Sequence, residues 1–409
     1  MNIKIAFIAS TAVISGGADG IRAYNQLREW SESIGRENID LFIVGDAQKQ
    51  FTEKQLSFEL FRNNITFIPI RKGILGDFYR LFILKRDIVQ KVVGNYDLVL
   101  SIDMPVIFNE TSLNEKTIKI FDIHGAIEEE RLLTRSFPKN ILIAKNIGRE
   151  LRKSLLNSDI LIASSKALIE YYKNKYTLTF DKEFIVYNYP NLHFQLSKKE
   201  ILENRTKTRE RLNMSETTPL LTYIGGTQKW QSLDLLFKTV RALIKVNPHI
   251  RFLVLTNNPD LFRNLLKKKV SSTLKAYVRK VNHREVPKYL CAADLGLVIR
   301  ENNLVNNVST PTKFGEYLSC GVPVLITRNL EEYARFTLEK DLGFVIGHDD
   351  NFPNELIEFL KYFNLQLRLN FIERNTSFVQ REFNWDIYKE KVIFSILQYV
   401  RDKTLIKNP

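Results

Sequence analysis

One pattern constrains this chain more than any other. An apolar strand, a loop with paired glycines, an amphipathic helix and a second apolar strand follow one another, and the series occurs twice. The first copy runs Ile3-Lys4-Ile5-Ala6-Phe7-Ile8-Ala9, then Gly16, Gly17 and Gly20, a helical period from Ile21 to Ile34, and Ile39 to Val44. The second runs Leu220 to Ile224, Gly225-Gly226, a helical period from Leu233 to Val246, and Phe252 to Thr256. A short strand that ends at glycines and passes into a helix opens a doubly wound α/β domain, because a parallel sheet needs a helical crossover between neighbouring strands. Two openings predict two such domains. A chain of 409 residues is also too long for one ordinary core.

Further strands are expected at Ile65–Ile70, Leu98–Ile102, Ile118–Ile123, Ile160–Ala163 and Phe184–Tyr187, and in the second half at Leu295–Ile299 and Pro323–Thr327. The interval from Lys198 to Arg211 is highly charged and lacks an apolar period, so the domain junction is expected there. This divides the chain into residues 1–197 and 212–385.

The formal net charge of +14 calls for an anionic partner: nucleic acid, an anionic membrane surface or a phosphorylated ligand. No recognisable RNA- or DNA-binding module is present, which argues against nucleic acid. Only two cysteines occur, Cys291 and Cys320, so there is no disulfide framework and a reducing compartment is expected. The five histidines are scattered and no Cys/His cluster has metal-ligand spacing. The apolar start is short and interrupted by Lys4, which reads as a strand rather than a signal peptide. No run approaches the ~18 apolar residues that span a bilayer. A cytoplasmic protein is expected, peripheral on the inner face of the plasma membrane where it meets lipid.

The most informative stretch for chemistry is Ser309-Thr-Pro-Thr-Lys-Phe-Gly-Glu-Tyr-Leu-Ser-Cys-Gly321. Thr310 suits a helix N-cap and Pro311 the first helical position. Phe314, Tyr317 and Leu318 then share a buried face, while Lys313, Glu316 and Cys320 share another. Lys313 in the first turn opposes the helix dipole, and a bound anion would resolve that conflict. Glu316, one turn on and leaning back toward the N-terminus, would accept hydrogen bonds from hydroxyls of the molecule carrying the phosphate. The competing reading is a capped surface helix with a weak Lys–Glu pair. Ligands of open α/β sheets bind beyond the carboxyl ends of the strands. Every distinctive loop follows a strand: Ser15–Gly17, His124-Gly125, Gly225–Lys229, and Arg300 through Lys313.

With those loops in place the chain resembles the retaining GT-B glycosyltransferases, specifically the nucleotide-sugar-dependent family numbered four. Gly16-Gly17 is similar to its N-domain glycine loop. Asp122-Ile123-His124-Gly125 is similar to its histidine loop, and Gly225 to Gln231 to its C-domain basic loop. Thr310 to Gly321 followed by Val-Pro-Val is similar to its nucleotide-binding helix, and Phe383-Asn384-Trp385 to the segment that crosses back to the N-domain. Arg300-Glu-Asn-Asn-Leu-Val-Asn-Asn resembles a bacterial branch that builds surface polysaccharide. Two departures stand out. The first glutamate of the family's Glu-x7-Glu pair falls on Val308, with Asn306 or Asn307 as substitutes for contacting the sugar. The C-domain Arg and Lys positions fall on Gly226 and Gln231, unless Lys229 and Arg300 supply the charge.

The resemblance implies two Rossmann-like domains facing across a cleft, an acceptor domain over 1–197 with 386–409 returning to it, and a donor domain over 212–385. It implies a metal-independent transferase of the hexosyltransferase type. Such an enzyme moves a sugar from a nucleotide-sugar donor to a growing, lipid-linked surface glycan with retention. The donor is a substrate, so no cofactor is expected. The catalytic candidates are His124, Lys229 and Arg300. The nucleotide-sugar candidates are Gly16, Gly17, Val281, Asn282, Thr312, Lys313 and Glu316, with no metal ligand. Asp103 and Glu128 to Glu130 read as solvated loop carboxylates. A GT-B epimerase, a glycoside phosphorylase and a degenerate binding subunit supporting a partner transferase are the alternatives. Residues Arg71 to Val93 read as an amphipathic helix whose cations Arg71, Lys72, Arg80, Lys85, Arg86 and Lys91 would dock on an anionic membrane.

Overall fold

The computed structural model describes residues 3–10, 18–45, 65–69, 96–104, 116–134, 139–271, 274–347 and 352–406. It divides into two compact units, Met1–Asn188 with Trp385–Pro409, and Tyr189–Asn384. Gly16, Gly17 and the segment Arg71 to Val93 lie outside the described residues.

The first unit is built on β1 (Ile5–Ser10), β2 (Ile39–Gly45), β3 (Ile65–Pro69), β4 (Leu98–Ile102), β5 (Ile118–Ile123), β6 (Ile160–Ala163) and β7 (Lys182–Ile185). They form one sheet in the order β3-β2-β1-β4-β5-β6-β7, and every described pairing is parallel. Strand order reverses between β1 and β4, where Ile5 pairs with Leu98 and Ile8 with Ser101. Strands β4 and β6 are buried at every residue, as expected when helices cover both faces of a parallel sheet. The C-terminal segment completes this unit. Trp30 Nε1 donates to Tyr388 Oη at 2.8 Å, and Lys403 pairs with Asp181 at 3.1 Å.

The second unit holds β8 (Leu220–Ile224), β9 (Arg251–Leu255), β10 (Ala276–Arg279), β11 (Leu295–Val298), β12 (Val324–Thr327) and β13 (Gly343–Ile346). Their order is β10-β9-β8-β11-β12-β13, again parallel, with the reversal between β8 and β11. The loops after β8 and β11 therefore open side by side at the sheet's switch point, the place where such sheets bind ligands.

Several features differ from the sequence reading. Strand β7 starts two residues earlier than expected. Strands β10 and β13 went unpredicted, and both are four-residue strands at the sheet's edges. Residues Lys198–Arg211, read as the interval between domains, are a helix of the second unit with a capping box between Ser197 and Glu200. That helix is anchored by charge. Arg205 and Arg209 are each 1% exposed and pair with buried Asp294 at 2.8 and 3.1 Å, while Asp294 also accepts from Leu220 N at 2.8 Å.

Candidate functional site

In the second unit the helix Thr312–Ser319 packs against the sheet's switch point, and every residue from Lys313 to Ser319 is buried. Its N-cap is Pro311, one residue later than expected, and no side chain caps it. The expected Thr310 cap and Pro311 first helical position are thus corrected by one residue, and the surface-helix reading is excluded by burial. Proline offers no side-chain acceptor, so the free N–H groups of the first turn stay available to a ligand.

Lys313 lies in that first turn at 7% exposure, and Arg300, just after β11, at 5%. Lys313 Nζ donates to Gln231 Oε1 at 3.0 Å and sits 4.2 Å above the centre of the Tyr223 ring. Arg300 Nη1 donates to the same Gln231 oxygen at 2.6 Å. Among the described residues no carboxylate lies within ion-pair distance of either cation, and Arg300 Nε is buried without a partner. Burial pushes the Lys313 pKa well below its ordinary 10.5; repulsion from Arg300 adds to this, and Glu316 opposes it. Burial likewise lowers the Arg300 pKa. Gly225 makes room for the group: at φ +149, a Cβ there would stand 2.9 Å from Tyr223 Oη and 3.2 Å from Lys313 Nζ. Two buried cations and an uncapped helix start form a site for an anion.

One turn along, Glu316 is 6% exposed and its Oε1 lies 2.8 Å from His283 Nε2. The His283 carbonyl contacts His193 Nε2 at 3.1 Å, and the two imidazoles meet edge to face with centroids 4.9 Å apart. Burial, with repulsion from His283, brings the His193 pKa down to about 4. Beside them Asn282 caps the short turn His283–Glu285 by accepting from Arg284 N at 3.1 Å.

In the first unit the loop after β5 carries His124, which is held from below. Asp122 is fully buried and accepts from Arg22 Nη2 at 2.9 Å and Gln26 Nε2 at 2.6 Å. Burial raises its pKa, but Arg22 and His124 outweigh burial and hold it well below the usual carboxylate range. Arg22 Nη1 also donates to the Val186 and Tyr187 carbonyls, tying the end of β7 to this point. Arg22 Nε–H aims at His124 Nε2 at 2.8 Å, a contact that only an unprotonated Nε2 accepts. The neutral ring then carries its proton on Nδ1, 3.0 Å from Asp103 Oδ2. Burial lowers the ring's pKa, yet Asp103 and Asp122 outweigh it and push it up to about 10. A second proton would face Asp122 Oδ2 at 3.2 Å and displace the Arg22 contact.

Asp103 also accepts from His124 N at 2.9 Å and adopts φ 50, a conformation that costs a non-glycine residue about 1–3 kcal/mol. It is therefore not a solvated loop carboxylate, and neither is Glu128. Glu128 is 4% exposed and bound by Tyr172 at 3.0 Å, Lys175 at 3.0 Å and Tyr176. The Tyr172 hydroxyl accepts from Ile127 N at 3.1 Å and lies 3.2 Å from the Gly125 carbonyl, which fixes the loop after His124.

Residues 218–362 match the family described as glycosyl transferases group 1. The match spans β8 to β13 and the helix Thr312–Ser319 of the second unit. Solved structures similar over nearly the whole length include Anabaena HepE in complex with UDP and glucose. It has a TM-score of 0.66, 14% identity, and coverage of 97% of this chain and 100% of that one. WaaG, a glycosyltransferase involved in lipopolysaccharide biosynthesis, gives a TM-score of 0.63 at 14% identity, covering 95% and 98%. Sucrose-phosphate synthase from Thermosynechococcus elongatus gives 0.66 at 15% identity, covering 98% and 100%. A comparison with curated proteins gives no match. The fold is GT-B, with two Rossmann-like sheets and a C-terminal helix that returns to the first unit.

The matched region thus gathers Thr312, Lys313, Glu316 and Arg300 at one sheet edge. Thr312 opens the helix half-buried, while Val281 is half-buried and Asn282 exposed beside the His283 turn. Lys229 is different: it is exposed, and the side chain that reaches the cations is Gln231, two residues on. The sequence reading placed Gln231 at the family's Lys position but gave it no role, and it missed Tyr223 and His283. The phenol is buried in β8 and reads as core, and a glutamine in a basic loop carries no charge signal. Asn306 is 1% exposed and donates to the Glu301 carbonyl at 3.1 Å, and Val308 is 3% exposed.

Proposed function

We propose that the protein transfers a sugar from a nucleotide-sugar donor to a lipid-linked surface glycan, with retention of anomeric configuration and without a metal. The observation that carries this reading is the pair of buried cations, Lys313 and Arg300, with no carboxylate partner among the described residues, at the start of an uncapped helix. A departing nucleoside diphosphate develops charge on its β-phosphate, and preorganised cations and N–H groups aimed at that charge lower the barrier. The acceptor hydroxyl oxygen bonds the anomeric carbon on the face the diphosphate leaves. The carbon–oxygen bond to phosphate breaks, and the hydroxyl proton passes to the leaving phosphate oxygen. Glu316 accepts from the ribose, and the base lies along Val281 and Asn282. His124 has both ring nitrogens engaged, so its role is to contact or position the transferred sugar rather than to act as a base. The UDP and glucose present with HepE make a uridine nucleotide the first donor to try.

Val308, where the family resemblance expects a glutamate, favours a second reading, a binding subunit without transferase chemistry. Incubation with a panel of nucleotide sugars and membrane extract, with products followed by NMR, separates the two. Formation of an α-linked product from an α-linked donor, undiminished by EDTA, is expected. An inverted product, full inhibition by EDTA, or binding without turnover would each contradict the proposal.

We further propose that the first unit reaches its acceptor on an anionic membrane. The segment first expected to dock lies outside the described residues, but the helix Lys139–Leu156 presents a suitable face. Ile141, Leu142, Lys145, Arg149, Arg152, Lys153 and Leu156 are all exposed at helical spacing, with Leu142 at 65%. Cations of this kind contribute on the order of 1 kcal/mol each near an anionic surface.

A further inference from the structure

Gln231 stands at the focus of the anion site, and its contacts do not suit an amide. Its single oxygen Oε1 receives Arg300 Nη1 at 2.6 Å, Lys313 Nζ at 3.0 Å and Tyr223 Oη at 3.1 Å. An amide oxygen has two lone pairs, so Arg300 and Lys313 saturate it and leave none for Tyr223. The Tyr223 hydroxyl has one proton to give and also lies 2.9 Å from the Gly226 carbonyl, so one of its two contacts is always unmade. The amide carries no net charge, while the two groups it bridges are buried cations, each with its charge disfavoured by burial. Among the described residues Arg300 Nε remains without a partner even with Gln231 in place.

A terminal phosphate oxygen fits the position better, since it has three acceptor directions and a formal charge that both cations attract. Gln231 can also leave. It closes the single short turn Lys229–Gln231, its side chain is only half-buried, and Ser232 after it turns the chain at φ 53.

We propose that Gln231 is an internal stand-in for a diphosphate oxygen. Its Oε1 fills the anion position in the empty protein and must swing away before the ligand binds, so Gln231 holds down the affinity of the site. The inference rests on the diphosphate site assigned above. It predicts the reverse of what a ligand-contacting glutamine would show. Removing the amide leaves the two cations under-coordinated in the empty protein and removes a competitor, so binding tightens. Replacing it with a carboxylate gives both cations a permanent partner, and binding fails.

The test is calorimetric titration of the full chain with UDP and, separately, with inorganic diphosphate. Gln231→Ala is expected to bind both at least about threefold more tightly than the parent protein, and Gln231→Glu at least about tenfold more weakly. Gln231→Met, which keeps the stem and nearly the volume while removing the oxygen, should tighten binding like the alanine and stands in for it if the alanine variant misfolds by circular dichroism. Unchanged or weaker binding by Gln231→Ala or Gln231→Met overturns the inference. If the parent protein binds neither ligand, or Lys313→Ala leaves both affinities unchanged, the site assignment itself fails. If the parent binds, Lys313→Ala weakens binding and Gln231→Ala does not tighten it, only the role of Gln231 fails.

Discussion

Lys313 shows how a single side chain states what a site is for. A lysine 7% exposed, beside an arginine and with no carboxylate in ion-pair distance among the described residues, destabilises the protein that carries it. The sign of its pH dependence follows from the depressed pKa. The penalty is present in full below the folded pKa and is relieved as pH rises toward 10.5. A bound diphosphate supplies the missing charge and raises that pKa again, so binding takes up protons. Calorimetry in buffers of different ionisation enthalpy, at a series of pH values below 10.5, should show this uptake and an affinity that falls as pH rises. Buffer-independent heats with constant affinity across that range would count against it.

Asp122 makes the opposite case. Its charge is stabilised by Arg22, Gln26 and His124, so its contribution is complete above 3.8 and is lost as pH falls through its lowered folded pKa. Asp122→Asn keeps the shape but leaves Arg22 buried beside an imidazole without its counter-charge. A loss of about 3–5 kcal/mol in urea unfolding is expected, together with a flatter acid limb of the stability curve. A loss under about 1 kcal/mol would mean the pair is not the anchor of the His124 loop.

The elements differ in how far the sequence revealed them. Strands β4, β5, β6 and β8 fall where expected because each is a short apolar run buried on both faces, which leaves little choice of register. The helix Lys198–Arg211 was hidden because its buried positions include Arg205 and Arg209, whose partner Asp294 lies more than eighty residues away, as their separations of 89 and 85 residues show. Periodicity reads apolar faces and is blind to a face held by ion pairs. The helix Thr312–Ser319 was legible in its essentials, and Lys313 in its first turn is an electrostatic anomaly visible in the chain itself. Its cap was misplaced by one residue because Thr310 and Pro311 are good signals for adjoining positions. Asp103 carries no local signal of its role in the sequence. Only the sheet order, which places β4 beside β5, brings its carboxylate to His124.

At the scale of the whole molecule, the two units share an architecture but not a charge design. In the described site of the first unit each charge has a partner, Asp122 with Arg22 and Asp103 with the His124 ring. The described site of the second unit leaves Lys313 and Arg300 without a carboxylate in ion-pair distance, as the proposed diphosphate site requires. The net charge of +14 extends that theme to the surface. Flotation with phosphatidylglycerol vesicles should recover the protein at low salt and release it at high salt, since about 10 Å of Debye length at 0.1 M shortens steeply above that. Combined Arg149→Glu, Arg152→Glu and Lys153→Glu changes should abolish recovery. Recovery that survives those changes, or none at any salt, would remove the helix Lys139–Leu156 as the docking face.

The central claim is that Lys313 and Arg300 hold the diphosphate of a nucleotide donor, and UDP binding to the parent protein and to Lys313→Glu measures it most directly. The charge reversal is expected to weaken UDP by about tenfold or more while leaving the circular dichroism spectrum of the empty protein unchanged. Equal affinity of the two folded proteins for UDP would contradict it.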